Sequence, residues 1–290
     1  MVSMASTNRP GAAAAAAFFI VFLMSAKSVY GACLPVSSVV EDGELSSPFS
    51  LQEYARAPWF SQLQAPTPYQ PLTSFYCVVA HYTPQSLDCT PKSGNNSRSV
   101  ITSKPVACTG SIDVFNYGNE GSVNGRAQGG HLRAIIGNTN DTSKLSVGPT
   151  FLPSIFYGPY WIVALGAHTS DTCESPSGTC YDWSLVSGGQ PTIETADGCK
   201  GTASSFGGGL WILTREAEPP VAMVEKALDA AIDRGFDISI MKPVTHAGCR
   251  YDGFPFYHPH STPARPVSAA AGANSAPAEA AAVAAAATRT

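Results

Sequence analysis

Short runs in which apolar residues alternate with polar ones dominate this chain, and they predict β-strands. The first strand is expected near Trp59, and seven more are expected at Ser74–Thr83, Ser111–Tyr117, Val123–Ile136, Lys144–Val147, Pro159–Leu165, Tyr181–Val186 and Leu210–Leu213. Helices do not alternate with these strands, which excludes a doubly wound parallel sheet. Successive antiparallel strands with hairpin links are typical of an up-and-down barrel.

One stretch beyond the last strand has a helical period instead. Pro219 and Pro220 suit the first turn of a helix, where a missing N–H costs nothing. Gly235 can take the left-handed conformation that ends a helix. The apolar stripe between them consists of Val221, Val224, Leu228, Ala231 and Ile232. The predicted fold class is therefore mainly β: an eight-stranded antiparallel up-and-down barrel with one C-terminal α-helix packed outside.

The two ends of the chain differ from this central part. Residues 1–31 are expected to be a signal peptide, because Arg9 precedes an apolar run and the segment ends in small residues. An organelle transit peptide is the alternative, since no acidic residue precedes Glu41. Residues 257–290 are rich in Ala and Pro without apolar periodicity and are expected to be disordered. The barrel domain is thus assigned to residues 32–256, in a secreted protein or one of an organelle lumen.

Charge and cysteine content narrow the class of protein. Only 13% of residues are charged, the net charge is −4, and no basic stripe occurs, so nucleic acid is excluded as a partner. An even number of cysteines, eight, indicates disulfides formed in an oxidising compartment. Asn95 and Asn140 begin sequons and are expected to be glycosylated.

Motifs of catalysis and of metal binding are missing from the sequence. The cysteines lack the paired short spacings of a zinc site. His258 and His260 in the tail could make at most a weak metal contact. No Ser/His/Asp grouping and no phosphate-binding glycine loop in a strand-to-helix context occurs. We therefore expect neither an enzyme nor a bound cofactor or metal.

Three segments carry the pattern of a known family. Phe49–Tyr54 is expected to form a helical turn ahead of Trp59, Tyr181-Asp182-Trp183 lies on the predicted seventh strand, and Trp211–Arg215 precedes the predicted helix. In this order the segments resemble the barrel entry and the second and third signature blocks of the lipocalin family, and of its apolipoprotein D and bacterial lipocalin branch in particular. The resemblance covers roughly residues 33–249.

The resemblance implies a barrel that holds one small hydrophobic ligand, such as a lipid, fatty acid, sterol, retinoid or pigment. Trp59 and Arg215 correspond to the structural pair that closes one end of the barrel. If Cys77 points outward to form a disulfide, its strand neighbours point inward, and similar alternation applies to the sixth and eighth strands. The expected cavity residues are Tyr76, Val78, Tyr82, Trp161, Val163, Trp211 and Leu213.

The same branch pairs cysteines at the positions of Cys77 with Cys249 and of Cys33 with Cys199. The remaining four can close local loops, Cys89 with Cys108 and Cys173 with Cys180. One or two of the four pairs could instead stay reduced.

Three functions remain open at this point. A secreted carrier of a small hydrophobic ligand is the main hypothesis. A lipocalin-like enzyme acting on a lipid or carotenoid, or a protein-binding surface module, are the alternatives. Peripheral association with a membrane or a lipoprotein is compatible with the resemblance, and the oligomeric state is left open.

Overall fold

The computed structural model describes residues 33–41, 45, 49–85, 88–89, 108–137, 139–169, 179–202 and 208–251. The expected signal peptide and tail lie outside these residues, as do Asn95, Cys173, His258 and His260. Asn140 is described, and its side chain is exposed in the turn before the fifth barrel strand. Glycosylation of both asparagines therefore stays a prediction.

Eight of the described strands form a closed antiparallel barrel. They are β1 (Trp59–Gln64), β2 (Tyr76–Pro84), β3 (Ser111–Glu120), β4 (Arg126–Ile136), β5 (Lys144–Pro149), β6 (Gly158–Thr169), β7 (Thr179–Ser187) and β8 (Leu210–Thr214). Each strand pairs with the next, and β8 pairs back with β1, with Phe60 opposite Thr214 and Gln64 opposite Trp211. The predicted fold class is confirmed.

The remaining helices, turns and short strands lie outside the eight barrel strands. Helix α1 (Leu51–Tyr54) precedes β1, helix α2 (Val221–Asp233) follows β8, and β9 (Lys242–Pro243) adds to the outer edge of β1. Two short ladders pair Asp88–Cys89 with Cys108–Thr109 and Ile193–Thr195 with Gly198–Lys200, and 3₁₀ turns occupy Leu72–Ser74, Ser154–Phe156 and Ile238–Ile240. Within the described ranges, no helix is both long enough and apolar enough to cross a membrane.

Helix α2 packs on the outside of the barrel, as predicted. It begins after Pro220, and Gly235 follows its end with a φ of +74°. Its buried side chains meet the outward face of β6, β7 and β8 and are Val224, Ala227, Leu228 and Ala231. Ile232 was expected in the same apolar stripe, but it is 38% exposed. At 100° per residue Ile232 falls at the edge of the buried stripe, beside the half-buried Val221.

Disulfides tie the flanking segments to the barrel. Cys33 bonds Cys199, and Cys77 on β2 bonds Cys249 beyond the helix, which confirms both pairings. Cys89 and Cys108 face each other in the backbone of a short ladder, and Cys180 is itself disulfide-bonded. Pairing of Cys89 with Cys108 and of Cys180 with Cys173 stays a prediction.

Strand direction gives the barrel two different ends. Trp59 at the start of β1, Arg215 just after β8 and helix α1 lie at the same end. Because successive strands reverse direction, the loops 65–75, 121–125 and 150–157, and the connection that starts at residue 188, all lie at the opposite end.

Candidate ligand-binding cavity

The end of the barrel beside α1 is sealed by Arg215 and Trp59. The guanidinium carbon of Arg215 lies 3.5 Å from the centroid of the Trp59 ring. The five guanidinium N–H groups have backbone carbonyl partners, namely those of Glu53, Tyr54, Ala57, Pro58 and Tyr181. Burial lowers the pKa of Arg215 to about 9, and the nearby Glu53 carboxylate acts in the opposite direction. Arg215 is therefore cationic at neutral pH, and its donors are used within the protein.

Aromatic side chains complete this closed end. The Trp59 ring N–H donates to the Tyr54 carbonyl oxygen at 2.9 Å. The Phe49 ring stacks on Tyr181 with their centroids 5.9 Å apart, and the Tyr181 hydroxyl accepts from the Ser50 N–H at 2.8 Å. Trp59, Tyr54 and Tyr181 are all at most 1% exposed. The arrangement is a structural plug, because it leaves no accessible polar group for chemistry.

Above the plug lies a cavity of about 220 Å³ inside the barrel. Its wall is mainly apolar and includes Val78, Val114, Leu132, Val147, Trp211 and Leu213. Trp59 forms part of its lining at the closed end, while Tyr69 and Gln70 of the loop 65–75 line it at the other end. The cavity thus opens where the loops lie, and an apolar molecule entering there would contact side chains from β1 to β6 and from β8.

Three tyrosine hydroxyls form a hydrogen-bonded chain beside the cavity. The Tyr160 hydroxyl lies 2.6 Å from that of Tyr82 and 2.8 Å from that of Tyr54. Burial raises the pKa of Tyr54 to about 12 and raises the pKa of Tyr82 and of Tyr160 well above the ordinary value. These hydroxyls are therefore protonated and uncharged at neutral pH, and two hydrogen bonds link the three of them.

A second polar group lines the cavity on β1. The Ser61 hydroxyl donates to the Gln64 side-chain oxygen at 2.7 Å. Gln64 is 0% exposed, and its side-chain nitrogen has no hydrogen-bond partner. Sequence reasoning missed this residue, because strict alternation from Trp59 predicts that Leu63 faces inward. A bulge between Ser61 and Leu63 turns Leu63 outward beneath α2 and brings Gln64 to the cavity.

The cavity lining carries no formal charge. Among the described residues that line it, none is Lys, Arg, His, Asp or Glu. No group of three or more His, Cys, Asp or Glu side chains suited to a metal ion occurs in the part of the chain that the structure describes. The site can therefore hold an apolar molecule and offer it neutral hydrogen-bonding groups.

The structure places four of the seven expected cavity residues in the lining, namely Val78, Tyr82, Trp211 and Leu213. Tyr76 was expected to face the cavity, but it packs on the outer side of the barrel with Cys77 and Cys249. The cause is local: Cys77 has a φ of +57°, and the pairing of β2 with β3 shifts between Tyr76 and Val79. Simple alternation does not hold across such a bulge.

The inward orientation expected for Trp161 and Val163 is also corrected. Both belong to the cluster between the barrel wall and α2, and the ammonium of Lys144 lies 4.6 Å from the Trp161 ring centroid. Tyr160 and Ile162 face the barrel interior instead. A bulge between Ile162 and Ala164 then shifts the pattern. The sequence prediction placed the large apolar side chains of this strand inside the barrel, but they cover the outer wall that faces α2.

Large apolar side chains are exposed on two loops at the open end of the barrel. In the loop 150–157, Phe151 and Ile155 are each 83% exposed, and Phe156 is 50% exposed. Tyr69 and Leu72, on the loop 65–75, are similarly exposed. Neither loop contains a charged residue. The mouth thus has an exposed apolar rim, formed by these five side chains.

Comparison with known proteins finds distant likenesses to solved structures. No family model and no curated protein matches the chain. Similar solved structures include lobster apocrustacyanin A1, at 14% identity over 74% of this chain and 88% of that one, with a TM-score of 0.41. Insecticyanin from the tobacco hornworm Manduca sexta is 14% identical over 77% of this chain and 91% of that one, with a TM-score of 0.42. Per a 4, a cockroach allergen, is 14% identical over 68% and 88%, with a TM-score of 0.38. These likenesses are too distant to show a shared function.

Proposed function

We propose that this protein is a lipocalin-type carrier that holds one small, mainly apolar molecule inside its barrel. The observation that carries the proposal is the cavity itself. It is sealed at one end by Trp59 and Arg215, is walled by apolar side chains, and opens at the loop end. Concave apolar sites with a few placed polar groups are the usual form of small-molecule sites.

The size of the cavity limits its occupant. A volume of about 220 Å³ lies below the range of roughly 300–1,000 Å³ that is common for ligand pockets. A compact ligand would fit wholly inside. A longer one, such as a fatty acyl chain, a sterol or a retinoid, would extend past Tyr69 into the mouth.

The chemistry of the lining favours a carrier over an enzyme. The hydroxyls of Tyr82 and Tyr160 have raised pKa values and are held by hydrogen bonds, which makes them poor nucleophiles at neutral pH. None of the described residues that line the cavity is a cysteine, so the lining offers no thiol for isomerase chemistry. We therefore propose binding and release, without a chemical step.

Secretion is part of the proposal. The bonds Cys33–Cys199 and Cys77–Cys249 each join residues more than 160 positions apart. Such disulfides persist in oxidising compartments and are rare in the cytosol. They support export to the extracellular space or to an organelle lumen.

The apolar rim of the mouth supports a way of loading the ligand. Phe151 and Ile155 are exposed on a loop at the same end of the barrel as the cavity opening. Exposed apolar patches of this kind mark interaction sites. We propose that the rim rests transiently against a membrane or lipoprotein surface, so that the ligand moves from lipid to barrel without crossing water.

Ligand titration tests the carrier function. Fatty acids, sterols and retinoids would be added to the purified protein while tryptophan emission is followed. We expect quenching of Trp211 and dissociation constants in the micromolar to submicromolar range, or roughly −8 to −9 kcal/mol. Native mass spectrometry of protein from its own source would identify the natural ligand. No change in emission with any compound, together with a ligand-free native mass, would contradict the proposal.

A further inference from the structure

We propose that the natural ligand is electrically neutral and presents a hydrogen-bond acceptor, such as a ketone, aldehyde or ester carbonyl oxygen, to the side-chain nitrogen of Gln64. This inference rests on the proposed carrier function and narrows the class of molecule carried.

The first argument is the unmatched donor at Gln64. Its side-chain oxygen already accepts from the Ser61 hydroxyl at 2.7 Å, which leaves its two N–H groups as the free part of the amide. The side chain is buried in the cavity wall, where an unpaired polar group costs free energy. An acceptor on the ligand would remove that cost, whereas a purely hydrocarbon ligand would leave it in place.

The other buried hydroxyls of the cavity make no such demand. Tyr82 and Tyr160 hydrogen-bond each other, and Tyr160 also bonds Tyr54. Each of these hydroxyls therefore has a hydrogen-bond partner without a ligand. Gln64 is therefore the buried lining group that gives the site a polar preference.

The second argument is the lack of a counter-charge for an anion. No described lining residue is basic. Arg215 lies against Trp59 at the closed end, and its N–H groups are bonded to backbone carbonyls. A carboxylate placed beside Gln64 would lose its hydration without gaining a cationic partner, which is unfavourable. A neutral carbonyl pays far less for the same burial, so the site favours ketones, aldehydes or esters over free acids.

The test uses ligands that share one chain length and differ only in the polar group. Tetradecane, 2-tetradecanone and tetradecanoic acid would be compared at neutral pH by displacement of a bound fluorescent probe. We expect the ketone to bind roughly 3- to 10-fold more tightly than the hydrocarbon, the range for one net hydrogen bond. We expect the acid to bind no more tightly than the hydrocarbon.

Two variants assign the preference to one side chain. Gln64→Met keeps the length of the side chain and removes the donor, and it is made together with Ser61→Ala, because without the Gln64 oxygen the Ser61 hydroxyl would become a new free donor in the cavity wall. In this double variant the ketone and the hydrocarbon should bind equally. Gln62→Met is the matched control, because Gln62 lies two positions away and its amide donates instead to Thr214 and to the carbonyls of Glu216 and Ala217. The control should keep the preference for the ketone.

An infrared measurement on the wild-type protein makes the test independent of how the variants fold. The carbonyl band of bound, ¹³C-labelled 2-tetradecanone should lie at lower frequency than in dry alkane, as expected for an accepted hydrogen bond. An unshifted band, equal affinities for all three ligands, or tightest binding of the acid would overturn this inference and leave the carrier function standing. Failure of all three ligands and of the fluorescent probe to bind would instead count against the carrier function itself.

Discussion

Arg215 and Trp59 are 156 positions apart in the chain, yet the guanidinium carbon lies 3.5 Å from the indole centroid. The contact joins the residue that follows the last barrel strand to the residue that begins the first. Cation–π attraction adds to the hydrogen bonds that hold the guanidinium, since Trp59 is fully buried and Arg215 is only partly exposed. The pair therefore fastens the closing seam of the barrel.

Loss of this fastening should lower stability more than affinity. Arg215→Ala removes the guanidinium hydrogen bonds to five partly buried carbonyls and the contact with Trp59. We expect the free energy of unfolding to fall by ~3–5 kcal/mol, the scale of a charge-assisted hydrogen bond together with a cation–π contact. Arg126→Ala is the control, because its contact with Glu120 is exposed. Urea unfolding measures both. A ligand affinity lost at unchanged stability would contradict the structural role.

Trp211 should report on the cavity, and Trp161 should not. Trp211→Ala is expected to weaken ligand binding by ~1–3 kcal/mol, the scale of burying a large side chain. Trp161→Ala removes the same kind of ring from the outer wall and should leave affinity within experimental error. Fluorescence titration of both variants decides the point. Equal losses would mean that the ligand lies elsewhere.

His246 should make the protein less stable in mild acid. Burial lowers its pKa from 6.5 to about 4; its Nε2 lies 2.7 Å from the Ser61 carbonyl oxygen, and its Nδ1 lies 2.6 Å from the Tyr251 hydroxyl. The unfolded chain binds a proton near pH 6.5 and the folded protein does not, so stability falls as pH drops from 6.5 towards 4, by up to ~3 kcal/mol.

Urea midpoints between pH 7 and pH 4 would measure this effect. His246→Gln should be less stable at pH 7 but should show a smaller fall in acid. His131→Gln, at a histidine side chain that is 59% exposed, is the comparison variant. An unchanged slope in the His246 variant would show that another group causes the acid sensitivity.

The disulfide between Cys77 and Cys249 should matter mainly for stability. Its residues are 172 positions apart, and replacing both by Ser should cost ~4–5 kcal/mol on the chain-entropy model. The double replacement of Cys33 and Cys199 has a similar separation of 166 and should cost a similar amount. Thermal unfolding compares the two. Non-reducing peptide mapping of the wild type would also test the predicted pairs Cys89–Cys108 and Cys173–Cys180.

The apolar rim should govern contact with lipid surfaces. Phe151→Ser combined with Ile155→Ser removes its two most exposed side chains, so binding to neutral phosphatidylcholine vesicles should fall while the affinity for soluble ligands stays the same. Leu34→Ser is a control, because Leu34 is 69% exposed and lies outside the two rim loops. Flotation with vesicles measures the difference. Equal flotation of all variants would remove the rim from the transfer step.

The order of the barrel strands could be predicted from sequence because each strand carries its own apolar alternation. The closed-end contact was expected from the resemblance around Trp59 and Arg215. Which side chains face the barrel interior was harder to predict from the sequence. It depends on bulges next to Cys77 and Val163, where a single extra residue reverses the faces of the strand.

The inward orientation of Gln64, on which the proposed ligand preference depends, could not be predicted for the same reason. A polar residue near the end of an apolar strand gives no sign of facing inward. Its place in the cavity follows from the bulge after Ser61, which depends on how β1 pairs with β8 across the seam. That pairing joins residues about 150 positions apart, so no local pattern encodes it.

The seam between β1 and β8 also has a consequence for synthesis of the chain. Phe60 finds its partner Thr214 only after more than 150 further residues have been made. Until then, one edge of β1 offers unpaired backbone groups, and such edges invite pairing with other chains. Closure of the barrel therefore has to wait for the last strand, and protection of that edge during synthesis should favour correct closure.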